Sequence, residues 1–144
     1  MLSKILVGID GSQPAKKVLG YASYLASKNN SKLFIVHVIE EFGGPMQAWE
    51  QHDSYVNELR RGSKDLLKEC ESIAKKLGVA KTYTMGEEGN AAEKILQVAK
   101  DKKIDTIVVG SRGLGAAKEF LLGSISHKIT HHAKMSSNYC EIRK

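Results

Sequence analysis

Apolar residues along the chain alternate between two signatures. Ile5-Leu-Val-Gly-Ile9 is a short unbroken β-favouring run closed by Asp10-Gly11-Ser12, which predicts a strand buried on both faces and then a turn. From Pro14, Val18, Leu19, Ala22, Leu25 and Ala26 fall at helical spacing, with Ser12 as cap and Asn29-Asn30 as stop. Leu33-Phe-Ile-Val-His-Val-Ile39 repeats the strand signal, and Glu40 to about Ser54, with Gly43-Gly44-Pro45, reads as a long loop. A second helix carries Tyr55, Leu59, Leu66, Leu67, Cys70, Ile73, Ala74 and Leu77 on its apolar stripe, and Gly78 follows as a residue tolerant of positive φ.

Val79 to Met85 predicts a weaker, more polar strand near an edge. Asn90 and Glu93 have capping-box spacing, and the helix they open buries Ala92, Ile95, Leu96 and Ala99. Asp105-Thr-Ile-Val-Val109 is the next buried strand; it leads into Gly110-Ser-Arg-Gly-Leu-Gly115, and Ser124 caps a last helix with Ile125, Ile129 and Ala133. The order β-α-β-α-β-α-β-α, with right-handed crossovers, predicts a parallel sheet with helices on both faces.

Length sharpens this picture: 144 residues predict one domain over 1–144. Hydrophobic residues at 42% and charged residues at 26% suit a packed globular core and exclude a disordered tail. No apolar run nears the roughly 20 residues that span a bilayer, and the first is too short for a signal peptide, so neither export nor membrane insertion is expected. Cys70 and Cys140 form no CxxC, which predicts a reducing, cytoplasmic setting. The net charge of +6 favours anionic partners, and it is uneven: residues 110–144 carry +4 of it and three of the five His.

In open α/β sheets ligands bind beyond the carboxyl ends of the strands, where the strand order reverses. The residues there are Asp10-Gly11-Ser12, Val38 to Glu41, and the glycine-rich stretch from Gly110. Gly110-Ser-Arg-Gly113 followed by Gly123-Ser124-Ile125-Ser126 combines unobstructed backbone amides, hydroxyls and a helix amino terminus, which together make an anion site. A P-loop is excluded because no suitably spaced Gly is followed by Lys-Ser or Lys-Thr. A dinucleotide fingerprint starting at Gly113 fails at Lys118.

The spacing Gly110-x2-Gly113-x9-Gly123-Ser124 resembles the nucleotide-binding signature of the universal stress protein family. Ile5-Leu-Val-Gly-Ile-Asp-Gly-Ser12, Ile107-Val-Val-Gly-Ser-Arg-Gly-Leu-Gly115, Leu121-Leu-Gly-Ser-Ile-Ser126 and His132-Ala133 extend the resemblance to about Ala133. It implies a three-layer α/β fold, Rossmann-like and similar to the adenine-nucleotide α-hydrolases, with an open parallel five-stranded sheet of order 3-2-1-4-5. It also implies ATP between the loops after strands 1 and 4, with Mg²⁺ or Mn²⁺ held by the phosphates, in a homodimer. Carried over by motif, Asp10 contacts the ribose and the backbone at Val38 the adenine edge. Gly110, Gly113, Gly123 and Ser124 approach ribose and phosphates, Ile125 and Ser126 add helix-terminal contacts, and the Arg112 guanidinium pairs with a phosphate.

Two stretches depart from the family pattern. His127 stands where an acid usually closes the capping box, so a cation there leans toward the phosphates and makes affinity pH-dependent. Residues 134–144 lack the usual Pro turn and apolar fifth strand, which weakens the dimer edge. His127, His131 and His132 have metal-compatible spacing but lack a completing Cys or carboxylate, so no metal site is expected.

The leading function is thus a cytoplasmic ATP-binding stress or regulatory protein that reports to a protein partner. No water-activating acid is evident, so no catalytic residue is assigned and any ATPase activity is expected to be slow. The alternative is a slow ATP-hydrolysing enzyme of the α-hydrolase-like class, using Glu50, His52 and Asp53 of the long loop. A phosphoacceptor domain is disfavoured by Gly86-Glu87-Glu88-Gly89 after the third strand. Nucleic-acid binding rests on charge alone, because aromatic residues make up only 6% and show no interleaving with the basic ones.

Overall fold

The structure, a computed structural model, describes residues 2–11, 13–40 and 49–110. Strands β1 (Lys4–Ile9), β2 (Lys32–Ile39), β3 (Lys81–Glu88) and β4 (Thr106–Val108) alternate with helices α1 (Gln13–Asn29), α2 (Trp49–Lys76) and α3 (Ala91–Asp101). Among the described residues the sheet is parallel with order β3-β2-β1-β4. This is the predicted three-layer α/β arrangement; the fifth strand and last helix fall on residues 111–144, outside the described residues.

Period-two alternation divides the core into two layers. Ile5, Val7 and Ile9 of β1 and Leu33 and Ile35 of β2 pack with Val18, Leu19 and Ala22 of α1 and Leu67, Cys70 and Ala74 of α2. Leu6, Phe34, Val36 and Ile107 face the other way, against Ala92, Ile95, Val98 and Ala99 of α3. Ile5, Leu6, Leu19, Leu33, Ile35 and Ile107 are fully buried, each stabilising the fold by about 1.5–3 kcal/mol relative to exposure. Gly8 lets the sheet pack close against α3. A Cβ there would lie 3.0 Å from Ile95 Cδ1 and 3.3 Å from Val109 Cγ1, so even a methyl group forces a neighbour to shift.

Local signals fix most of the boundaries. α1 ends at Asn29, and Asn30 adopts φ 53°, the left-handed geometry that stops a helix. The Asn90 side chain accepts from the Glu93 amide at 3.1 Å, capping α3. The Asp105 carboxylate accepts from the Ser3 and Lys4 amides at 2.9 and 2.8 Å, so the loop before β4 seats the start of β1.

Three expectations need correction. α2 begins at Trp49, not near Tyr55, so Glu50, His52 and Asp53 lie in its first turns and not in a loop. Tyr55 and Leu77, placed on its buried stripe by periodicity, are 45% and 48% exposed, because a 28-residue helix overshoots the sheet it covers. β3 runs on through Glu88, since full register with β2 up to Ile39↔Glu88 supplies the backbone hydrogen bonds that its polar sequence does not advertise.

Candidate functional site

Three of the expected site residues reach the same end of the sheet. Asp10 is half-buried immediately after β1, and Gly11 turns the chain away with φ +83°, a conformation that favours glycine. Val38 lies near the end of β2, partly buried against the α3 layer. Gly110 follows the buried Val109 at the end of β4. β2, β1 and β4 are adjacent, so Asp10, Val38 and Gly110 converge at the carboxyl ends of three neighbouring strands. The reversal of strand order falls between β1 and β4, which is where open α/β sheets form a ligand crevice. Arg112, Gly113, Gly123, Ser124, Ile125 and Ser126, and also Ser12, His127, His131 and His132, lie outside the described residues.

The floor of this end holds a polar contact that motif reading missed. His37 is in register with Ile9 of β1 and Gly86 of β3, and its Nδ1 lies 2.7 Å from the Oγ of Ser63, a buried residue of α2. Burial lowers the pKa of His37, and the nearby Asp10 carboxylate opposes that shift. Burial therefore favours the neutral imidazole on the α2 side of β2, with the Asp10 carboxylate acting against it. Strand parity carried the signal: His37 follows Leu33 and Ile35 at alternate positions and so must face α2.

On the β3 side, Arg60 of α2 grips Glu88 through two of its guanidinium nitrogens, Nη2 donating to Oε2 at 3.1 Å and Nε to Oε1. This hydrogen bonding holds the Glu88 carboxyl below the usual carboxylate range. The Gly89 amide donates to the Ile39 carbonyl at 2.9 Å, closing the ends of β2 and β3 together. Glu87 and Glu88 belong to the strand itself, and Glu88 is ion-paired. Among the described residues no three His, Cys, Asp or Glu side chains cluster to hold a metal ion, and no helix is long and apolar enough to cross a membrane.

Comparison with known proteins shows both the fold and the family of the chain. The chain is similar in structure to the universal stress protein UspA from Lactobacillus plantarum, with a TM-score of 0.88 at 20% identity over 99% of this chain and 98% of that one. It is also similar to a universal stress protein solved in complex with cAMP, with a TM-score of 0.75 at 22% identity over 99% and 98% of the two chains. A universal stress protein from Archaeoglobus fulgidus, solved in complex with dAMP, gives a TM-score of 0.68 at 19% identity over 96% and 98%. In sequence, the universal stress protein YxiE of Bacillus subtilis (strain 168) is 36% identical over 138 residues, 90% of this chain and 93% of that protein. The model of the universal stress protein family matches residues 1–136, and the chain belongs to that family.

Proposed function

We propose that the protein binds an adenine nucleotide, ATP in the first instance, between the loops after β1 and β4, and acts as a regulatory stress protein and not as a dedicated enzyme. The observation that carries this reading is the convergence of Asp10, Val38 and Gly110 at the switch point of the sheet. In this reading the Asp10 carboxylate accepts from the ribose hydroxyls, and the Val38 backbone meets the adenine edge. Gly110, Gly113 and Gly123 let the chain approach the phosphates closely, with Ser124, Ile125 and Ser126 offering the amides of a helix start and Arg112 a planar pair of donors. A half-buried carboxylate above a left-handed glycine turn fits a ribose. The +4 balance of residues 110–144 fits a triphosphate, whose oxygens would hold Mg²⁺ or Mn²⁺.

Family members in complex with cAMP and dAMP support the adenine part of the reading. The whole chain is taken as one nucleotide-binding domain, cytoplasmic and homodimeric, that signals through a protein partner.

The test is direct. Protein purified without added nucleotide and denatured in acid should release adenine nucleotide, and calorimetry with Mg·ATP should show binding that Asp10→Asn weakens. No released nucleotide together with no heat at millimolar Mg·ATP would overturn the proposal.

A further inference from the structure

The opposite end of the sheet carries a surface of a different character. Lys4, Lys32 and Lys81 are the first residues of β1, β2 and β3, and the register aligns them side by side, Lys4↔Lys32 and Lys32↔Lys81. In-register residues of neighbouring strands project from the same face about 4.8 Å apart, so this is a row of three like charges, an arrangement that costs stability on its own. Two residues further along, on that same face, Phe34↔Tyr83 are also in register, with ring centroids 4.9 Å apart and an interplanar angle of 18°.

The sequences Lys32-Leu-Phe34 and Lys81-Thr-Tyr83 thus form a two-by-two tile, lysine beside lysine and ring beside ring, which no reading of either strand alone reveals. Tyr83 is 44% exposed at the sheet edge, while Phe34 is buried beneath the layer of α3. Among the described residues neither Lys32 nor Lys81 makes an ion pair. Lys4 donates to the Lys102 carbonyl at 2.9 Å, which brings the basic pair Lys102-Lys103 to the same end. Of the carboxylates at this end, Asp105 is already engaged by the Ser3 and Lys4 amides, and Asp101 closes α3 beside Lys102.

We infer that this tile is a docking surface for single-stranded nucleic acid, with a base stacked on the open side of Tyr83 and successive phosphates on Lys81, Lys32 and Lys4. Lysines alone suit any polyanion; the exposed ring continuing an aromatic stack is what selects a polymer with π faces over an acidic peptide. The surface lies at the amino ends of the strands, away from Asp10, Val38 and Gly110, so it is independent of the nucleotide site proposed above.

The experiment is fluorescence anisotropy of a labelled mixed-sequence 12-nucleotide DNA strand with the full chain at low salt, with and without saturating Mg·ATP. Binding is expected in both conditions. Tyr83→Ala should weaken it about tenfold, and Tyr83→Phe should leave it unchanged. Lys32→Gln with Lys81→Gln should flatten the dependence of log affinity on log salt by about 1.4, two phosphate contacts at roughly 0.7 each. Tyr83→Leu, which keeps an apolar cover over Phe34 without a π face, carries the same expectation as Tyr83→Ala and guards against misfolding. Absence of binding, loss of binding on adding ATP, or full binding by both Tyr83→Ala and Tyr83→Leu would overturn the assignment. The last result, with displacement by poly-glutamate, would mean an acidic protein segment instead.

Discussion

The Nδ1 of His37 sits 2.7 Å from the Oγ of Ser63, which joins the end of β2 to α2 by one polar contact within an apolar interface. Ser63 is 5% exposed while His37 is partly buried, so the imidazole keeps some access to water when the hydroxyl is removed. Ser63→Ala should therefore destabilise the protein by about 0.5–1.5 kcal/mol, measured by urea unfolding. A change below the error of the fit would show that the bond contributes nothing.

The same histidine sets a pH dependence. Its folded pKa is lowered from 6.5 by burial, so the unfolded chain binds the proton more readily. The stability it contributes is present above the unfolded value and is lost as pH falls from about 6.5 through the folded pKa. Urea midpoints of the wild type should fall more between pH 8 and pH 5.5 than those of His37→Gln; parallel falls would refute the assignment.

Close packing at Gly8 leads to a second stability prediction. Gly8→Ala drives a methyl group against Ile95 Cδ1 and Val109 Cγ1 and should cost about 1–3 kcal/mol. Because the tighter contact is the tip of a flexible side chain, Gly8→Ala with Ile95→Val should recover part of that loss. Equal stability of the single and double variants would place the strain elsewhere.

Capping of α3 is expected to follow the usual scale. Asn90→Ala removes the acceptor for the Glu93 amide and should lower stability by about 1 kcal/mol, while Asn90→Asp should largely retain it.

Cys70 should be inert in the native state. It is 3% exposed, and burial pushes its thiol up to about 11. At pH 8 a disulfide reagent followed by peptide mapping should leave Cys70 unlabelled until denaturant is added; rapid native labelling would mean that α2 opens readily.

Legibility of the fold followed the strength of the local pattern. Buried runs such as Ile5–Ile9 and Leu33–Ile39 announced their strands because two helical layers require apolar residues on both faces. β3 was underestimated because an edge strand is held by pairing more than by burial, and Gly86-Glu87-Glu88 reads as loop until β2 is set beside it. The start of α2 was missed because its first turns extend past the sheet, where no apolar stripe is needed. That Asp10, Val38 and Gly110 meet at one end of the sheet is legible from their positions after strands. Ser63 was not, since a serine among leucines shows its role only once His37 faces it. Nor were the paired Lys-x-aromatic segments, which lie far apart in sequence and meet only through register.

Amide hydrogen exchange with and without Mg·ATP reports whether a nucleotide occupies the carboxyl ends of β1, β2 and β4. Exchange should slow at Asp10-Gly11, around Val38 and from Gly110 onward, with Lys4, Lys32 and Lys81 at the far ends of the strands unchanged. Saturating ATP with no added protection at those three places, or protection confined to the amino ends, would contradict the proposed binding.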